Sequence, residues 1–507
     1  MKKILTMLLS VLLVGSFTAC GGGRGTGGGG GDDDNGRTRL TVGVYDGAVG
    51  YAWAEELEKE YEALHTDVNI VINHKKGDYD DQSLSSRIPY NKEDMYFGSA
   101  NSLTALVQKG HIIDLTDLVQ EKCYDDAGNL VASGGTKSIE DRMWDPWEAF
   151  NKVNDRYYGV PNFAPAAGIS YDADLFEEKG YEVPETYTEF KNLLDRMVAD
   201  EITPMTIADH EYIWFSAIAF WAEYEGVNNF MLNSTFEGTD SVLGAVTPET
   251  AGKLVGQQGR KAYLQYYKDL ASNEKYTTLQ TRGGQSNTAS QNVFVSGITG
   301  RGDRVAMITE NSFWEREAYS TFMSLGKIKE EYGWGKRNFK YMIAPVDNKL
   351  TDRHTVYLSY PNSHAFISNY SDKKDLAKDF LKFTLSRSSL ATYVAYTGVL
   401  RPYDFTVTAE EKAKATPFAR SIMELLERDD VDFATFGAAS KKGMQLGYAS
   451  MYVQEWGSNS NIGGIATTQS FPFRTFRANS GTTVDDYFNG MRSYEKSKHP
   501  DMFVGVD

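Results

Sequence analysis

Apolar and polar positions along this chain keep switching between two periods. Residues 40–45, LTVGVY, alternate as a half-buried strand does, and residues 51–64, YAWAEELEKEYEAL, return to apolar positions at helical spacing. A second strand is expected at 68–73, followed by a polar break. A third, at 94–97, leads through Gly98 and Ser99 into a helix over 102–109 that Gly110 ends. Strands alternating with helices in this way build a parallel sheet covered on both faces. Ligands of such sheets sit beyond the carboxyl ends of the strands, which nominates Tyr45, Asp46, Ser99 and Asn101.

Residues 123–155 show no clear period and read as an inserted loop with a short helix near 139–143 and two tryptophans, Trp144 and Trp147, beside Pro146. The next stretch, YYGVPNFAPAAGISYDADLFEEKGYEVPETYTEF, is denser in signals. A short strand over 157–160 is expected to end at Pro161, which offers no N–H. A second strand at 168–171 runs into Asp172, suited to cap a helix over 173–179 that Gly180 stops. Thr186 and Glu189 have capping-box spacing for the helix after it.

The second half is richer in helices, expected at 212–224, 248–270, 286–296, 373–385, 388–396, 409–428, 436–454 and 484–497. The first is apolar around most of its circumference and should be largely buried. Strands are expected at 304–309, 339–343, 357–360 and 364–368, and residues 458–476 as a polar and aromatic loop. The strand at 304–309 ends in Glu310 and Asn311, with Trp314 opening the following helix. That strand end offers a hydroxyl acceptor, a mixed donor and acceptor, and a flat apolar face. A pyranose, with polar rims and an apolar C–H face, needs all three.

The amino terminus changes the picture of where the chain works. Lys2 and Lys3 precede an apolar run over 4–14, too short to span a bilayer, which reads as a secretory signal peptide. It ends in Phe17, Thr18, Ala19 and Cys20, which resembles a bacterial lipobox with Cys20 as the lipidated residue, although phenylalanine stands where leucine is usual. Residues 21–36 are nearly all glycine, a composition that behaves as a flexible tether. Asp32, Asp33 and Asp34 lack the rest of a calcium-loop spacing, so they read as solvated linker. The tripeptide Arg301-Gly302-Asp303 reads as an ordinary turn.

About 470 residues follow the tether, which favours two folding units over one core. The formal net charge of −17 argues against a nucleic-acid partner. Only Cys20 and Cys123 are present, so Cys123 is expected to be a buried, inert thiol once Cys20 is lipidated.

Four pieces, YYGVPNF, ISYDADLFEEKGYEVPETYTEF, MYFGSANSLTALVQKGHIIDLTDLV and AMITENSFWE, together resemble the sugar-binding family of extracytoplasmic solute-binding proteins of ABC transporters. The resemblance spans residues from about 40 to 400 and rests on the ensemble, since no piece is a catalytic signature. It implies an α/β, periplasmic-binding-protein-like fold: two lobes joined by hinge strands, with a ligand cleft between them. Residues 38–160 plus 347–396 would form one lobe, and 161–346 plus 397–507 the other. The chain would cross between lobes near 161 and again near Pro361, putting Asn162, Phe163, Tyr360 and Asn362 beside ligand. The same resemblance adds Trp214 and Trp221 to Glu310, Asn311 and Trp314 as site candidates, and implies permease subunits as partners. A monomer is expected, with no metal or cofactor, its contact with the membrane made through the lipid alone.

Enzyme signatures are sparse. The seven histidines show no H-E-x-x-H spacing, and neither a G-x-S-x-G elbow nor a phosphate-binding P-loop occurs. A secreted glycoside hydrolase remains the enzymatic alternative, with Glu310 and Asp46 as its two carboxylates. A structural surface lipoprotein without a small ligand is the other.

Overall fold

The computed structural model describes residues 36–74, 81–99, 103–208, 213–235, 256–282, 286–297, 304–359, 363–435, 461–462, 465–466 and 472–498. The expected signal peptide, Cys20, the tether, residues 301–303, the helix expected over 436–454 and most of the 458–476 loop lie outside them.

Two sheets organise the described chain. In the first, Thr38–Val44 lies between Val68–His74 and Met95–Ser99, parallel to both. Ser363–Ile367 then runs antiparallel to Met95–Ser99, and Val160–Pro161 closes the edge. Pro161 is therefore the last paired residue of a two-residue edge strand, so the strand ends at the proline and not before it. It is tolerated there because an edge strand leaves one row of N–H groups unused. Helix Ala52–Leu64 covers this sheet, with Trp53 edge-on to Phe97 at 5.1 Å and to Tyr393 at 5.0 Å.

The second sheet has the order Phe339–Met342, Ala167–Asp172, Val305–Asn311, Thr203–Thr206. Ala167–Asp172 is antiparallel to both neighbours, and Thr203–Thr206 is parallel to Val305–Asn311. Every residue of the two central strands is buried, as expected of strands covered on both faces. A separate pair, His354–Leu358 with Val431–Thr435, is parallel.

Local capping fixes where helices begin and end. Asp172 Oδ1 accepts from Leu175 N at 3.2 Å, Gly180 takes the left-handed conformation at φ 62°, and Thr186 with Glu189 forms the full capping box. Elsewhere the sequence misleads. The helix expected over 409–428 is two, Ala409–Lys414 and Pro417–Leu425, because Pro417 cannot continue the first. A helix at Asp81–Asn91 occupies what reads as a polar break, and the helix expected from 248 starts at Gly259 among the described residues. Residues 472–478, expected as loop in part, are helical.

Thr416 at the break does two jobs. Its Oγ1 accepts from Ala419 N at 3.1 Å as the N-cap, while its hydroxyl donates to Glu315 Oε2 at 2.6 Å. Burial pushes the Glu315 carboxyl up to about 8, so the folded protein holds a proton that the unfolded chain, with an ordinary carboxyl near 4.3, releases. Stability from this group is complete below pH about 4.3 and is lost as pH rises to about 8, at up to about 1.4 kcal/mol per pH unit. Glu315→Gln is expected to flatten that slope and to be more stable than wild type at pH 8, as read from urea midpoints. An unchanged slope in the variant would show that Glu315 is not the titrating group.

Candidate functional site

The two sheets are joined where three segments lie side by side. The first leaves the edge strand at Pro161 and enters Ala167–Asp172, the second follows His354–Leu358 into Ser363–Ile367, and the third follows helix Arg387–Thr397. Ala164 N donates to Leu400 O at 2.9 Å, and Ser359 N donates to Pro165 O at 2.9 Å. Tyr403 Oη donates to Pro161 O at 2.9 Å. Arg401 ties the third segment to the first: its Nε and Nη2 donate to Asn162 O (3.1 Å) and Oδ1 (2.8 Å).

Asn162 was expected beside ligand, but its side-chain carbonyl is committed to Arg401 and the residue is 8% exposed. Phe163 is half-buried and stacks on Phe313 with ring centres 5.8 Å apart. Both serve the junction. Asn101, Tyr360 and Asn362 lie outside the described residues, and for Ser99 and Trp214 only the backbone is described. Ser99 ends its strand opposite Ser363, and Trp214 belongs to helix Ile213–Glu225.

Tyr45 and Asp46 follow the first strand, as the topology requires. Tyr45 N donates to Phe97 O at 2.9 Å, and Asp46 Oδ2 lies 3.2 Å from His74 Nδ1, itself just past the neighbouring parallel strand's core. Tyr51 stacks on the His74 ring. Asp46 and His74 keep about a third of their side-chain surface exposed, so this corner stays open to a solute.

On the second sheet, Glu310 and Asn311 end the strand Val305–Asn311 beside the junction. Gln291, from helix Asn287–Ser296, brings its amide to Glu317 Oε2 at 2.6 Å and to within 3.5 Å of Glu310 Oε1. Asn311 Oδ1 accepts from Ser359 Oγ at 2.9 Å, while Asn311 Nδ2 is buried without a partner among the described residues. A buried amide donor left unpaired costs about 1–3 kcal/mol, which an incoming acceptor would recover. Gln291, Glu317, Ser359 and Arg401 escape sequence reasoning, because nothing local marks them as neighbours of strand ends far away in the chain.

Two tryptophans correct expectation. Trp314 is fully buried, its Nε1 donating to Ser170 Oγ at 2.9 Å and its ring hemmed in by Phe294, Phe339 and Phe418. Trp221 is 1% exposed, donates to Gln257 Oε1 at 2.8 Å and lies under Arg260. Neither presents a face to a solute. Trp147 is likewise buried, and Trp144 stacks on Phe433 at 4.6 Å, so the insertion covers a core edge. Cys123 is buried, and burial pushes its thiol up from the ordinary range, away from reactivity.

Among the described residues, no group of three or more histidine, cysteine or acidic side chains is placed to hold a metal, and no helix is long and apolar enough to cross a membrane.

Residues 46–389 match the sequence profile of the bacterial extracellular solute-binding proteins. The chain belongs to that family. A multiple sugar-binding protein of Streptococcus mutans is 42% identical over 60 residues, a match covering 12% of this chain and 14% of that protein. Among solved structures, the solute-binding protein RafE in complex with raffinose superposes with a TM-score of 0.51 at 16% identity, covering 90% of this chain and 100% of that one. A probable secreted solute-binding lipoprotein from Streptomyces coelicolor gives 0.56 at 15% identity, covering 90% and 98%. Identities this low speak to the fold, which is the mixed α/β periplasmic-binding-protein fold, and family membership places the protein outside the cytoplasm.

Proposed function

We propose that this protein is the substrate-binding lipoprotein of an ABC importer and that it captures a carbohydrate, an oligosaccharide in particular, between its two lobes. The observation that carries the ligand class is the strand end at Glu310 and Asn311. At adjacent positions of that strand end stand a carboxylate already bonded by the Gln291 amide and an unpaired amide donor, both side chains buried, which supply an acceptor and a donor of the kinds that sugar hydroxyls pair with. Support also comes from relatives whose names speak of multiple sugars and of raffinose. Tyr45, Asp46 and Ser99 would complete the site from the other sheet, with Asn101, Tyr360 and Asn362 at its margin.

In this reading, residues 38–160 with 347–396 and residues 161–346 with 397–507 are the lobes, and the three joined segments are the hinge. Ligand touching both lobes stabilises the closed form, a population shift whose size is limited by the contacts made only on closure. The closed form then docks on permease subunits. Cys20 carries the lipid that holds the protein at the membrane, and the glycine tether lets it diffuse around that anchor. The protein carries the sugar without cleaving it.

A glycan array followed by calorimetric titration is expected to find a carbohydrate bound at micromolar affinity or better, with no new reducing ends on prolonged incubation. Glu310→Gln is expected to weaken that ligand at least tenfold, about 1.4 kcal/mol or more. If no carbohydrate in the array raises the melting temperature, the ligand assignment fails. Release of reducing ends would instead favour the hydrolase.

A further inference from the structure

Beside the hinge, a cavity of about 540 Å³ opens between helices of the two halves. Its volume is that of a small-molecule pocket, for which roughly 300–1,000 Å³ is usual. One wall is helix Ala52–Leu64, which covers the first sheet and presents Glu56 and Glu60 from successive turns of one face. The opposite wall is Arg316, Tyr319 and Trp334, from the segment that follows the central strand of the second sheet. Thr392, on helix Arg387–Thr397, stands between the walls and donates to Glu60 Oε1 at 3.4 Å. Tyr45, Asp46, Asn162, Phe163, Glu310 and Asn311 do not line this cavity, which adjoins the candidate cleft at Tyr51, next to its wall residue Ala52, without sharing the cleft's residues.

The lining selects for one kind of occupant. Tyr319 and Trp334 meet edge to face at 5.0 Å, and the Arg316 guanidinium lies 4.4 Å over the Tyr319 ring, so aromatic surface and a fan of N–H donors share one wall. The wall across from them holds carboxylate acceptors. Lys414 and Glu411 also line the cavity, so a purely apolar ligand would face charged groups on both walls, a simple cation would meet Arg316 and Lys414, and a simple anion would meet the glutamates. A neutral polyhydroxylated ring meets none of these objections, because it supplies hydroxyl donors to the glutamates, acceptors to Arg316 and an apolar face to Trp334. Burial first, and Glu56 second, hold the Glu60 carboxyl above its ordinary range, against the opposing pull of the Thr392 hydroxyl and the Lys414 charge.

We propose that this cavity is a second carbohydrate site, distinct from the cleft, whose walls come from both halves of the molecule. The proposal stands on the cavity's own lining. An occupant would touch both halves, so its binding is coupled to their arrangement, and the affinities of the two sites are reciprocally linked.

Equilibrium dialysis of the full secreted chain with radiolabelled raffinose, maltotriose, chitotriose and xylotriose counts the sites, using wild type, Glu310→Gln, Trp334→Ala and Glu60→Gln. Glu60→Gln guards against misfolding of the tryptophan variant, since it removes charge from a half-buried side chain at almost constant volume. At least one probe is expected to bind with two equivalents per wild-type chain. One equivalent should weaken at least tenfold in Trp334→Ala and in Glu60→Gln, and the other only in Glu310→Gln. A single equivalent sensitive to Glu310→Gln alone overturns the second site and leaves the cleft standing. A single equivalent sensitive only to the Trp334 and Glu60 variants supports the second site and overturns the cleft. Binding of none of the four probes overturns the second site.

Discussion

Arg401→Ala is expected to lower the free energy of unfolding by about 3–5 kcal/mol, read from urea or thermal denaturation. Arg401 is 1% exposed and has no carboxylate partner among the described residues. Its charge is instead held by three oxygen acceptors: Asn162 O, Asn162 Oδ1 and Thr384 O, the last at 3.0 Å. Thr384 closes helix Lys374–Thr384, whose carboxyl end favours a cation. Three rings complete the cage, with the guanidinium 4.0 Å from the Tyr393 ring centre, 4.7 Å from Trp53 and 5.4 Å from Phe97. Desolvation pulls the arginine below its ordinary pKa, yet charge-assisted bonds and ring quadrupoles together keep the ion in place.

Removing the side chain leaves a cavity among those rings and buried acceptors with nothing to accept from. Arg401→Met refills much of the volume and none of the hydrogen bonds, so it should recover only part of the loss. The cycle with Asn162→Ala measures the coupling directly, and an interaction energy of at least 1 kcal/mol is expected. A loss below 1 kcal/mol in Arg401→Ala would mean that water replaces the guanidinium at little cost, and that the segments are held together by their backbone alone.

That junction shows where the sequence stops being readable. Asp172, Gly180, Thr186 and Glu189 announce their caps because each bond closes within four residues, and the structure has every one of them. The strand at 38–44 is legible for a similar reason, its alternation placing Leu40, Val42 and Val44 on one buried face. The bond from Arg401 to Asn162 joins residues 239 apart, and nothing near either one marks it. Pro161 illustrates the same limit at shorter range: a missing N–H forbids a central strand and permits an edge, and which of the two applies depends on residues 363–367. The helix at Asp81–Asn91 hides behind DQSLSSRIPYN, where a polar composition and Pro89 outweigh weak periodicity. At the candidate site the strand-end rule reaches Tyr45, Asp46, Glu310 and Asn311 because topology is legible. Gln291 and Glu317, which arrange the polar atoms around Glu310, arrive from separate helices.

Trp314→Ala is expected to cost about 3–5 kcal/mol of stability and to leave the affinity of the folded protein for its ligand within about twofold of wild type. From sequence, a tryptophan three residues past a polar strand end is a natural sugar platform. The four-residue helix Trp314–Glu317 carries too little periodicity to say which way its ring turns. The structure turns it inward, with Phe294 at 5.1 Å and Phe339 and Phe418 each at 5.2 Å, all in edge-to-face geometry. Deleting the indole empties the largest side chain of that cluster and orphans the Ser170 hydroxyl on the central strand. Trp314→Phe separates the two contributions, since it keeps ring packing and loses only the bond to Ser170, with an expected cost of about 1–2 kcal/mol. Calorimetric titration at low temperature, where the alanine variant remains folded, tests the binding half. A tenfold loss of affinity with unfolding energy preserved would restore Trp314 to the site. A large loss of stability with affinity intact confirms that the platform role belongs elsewhere, and that this residue holds the strand from which Glu310 and Asn311 project.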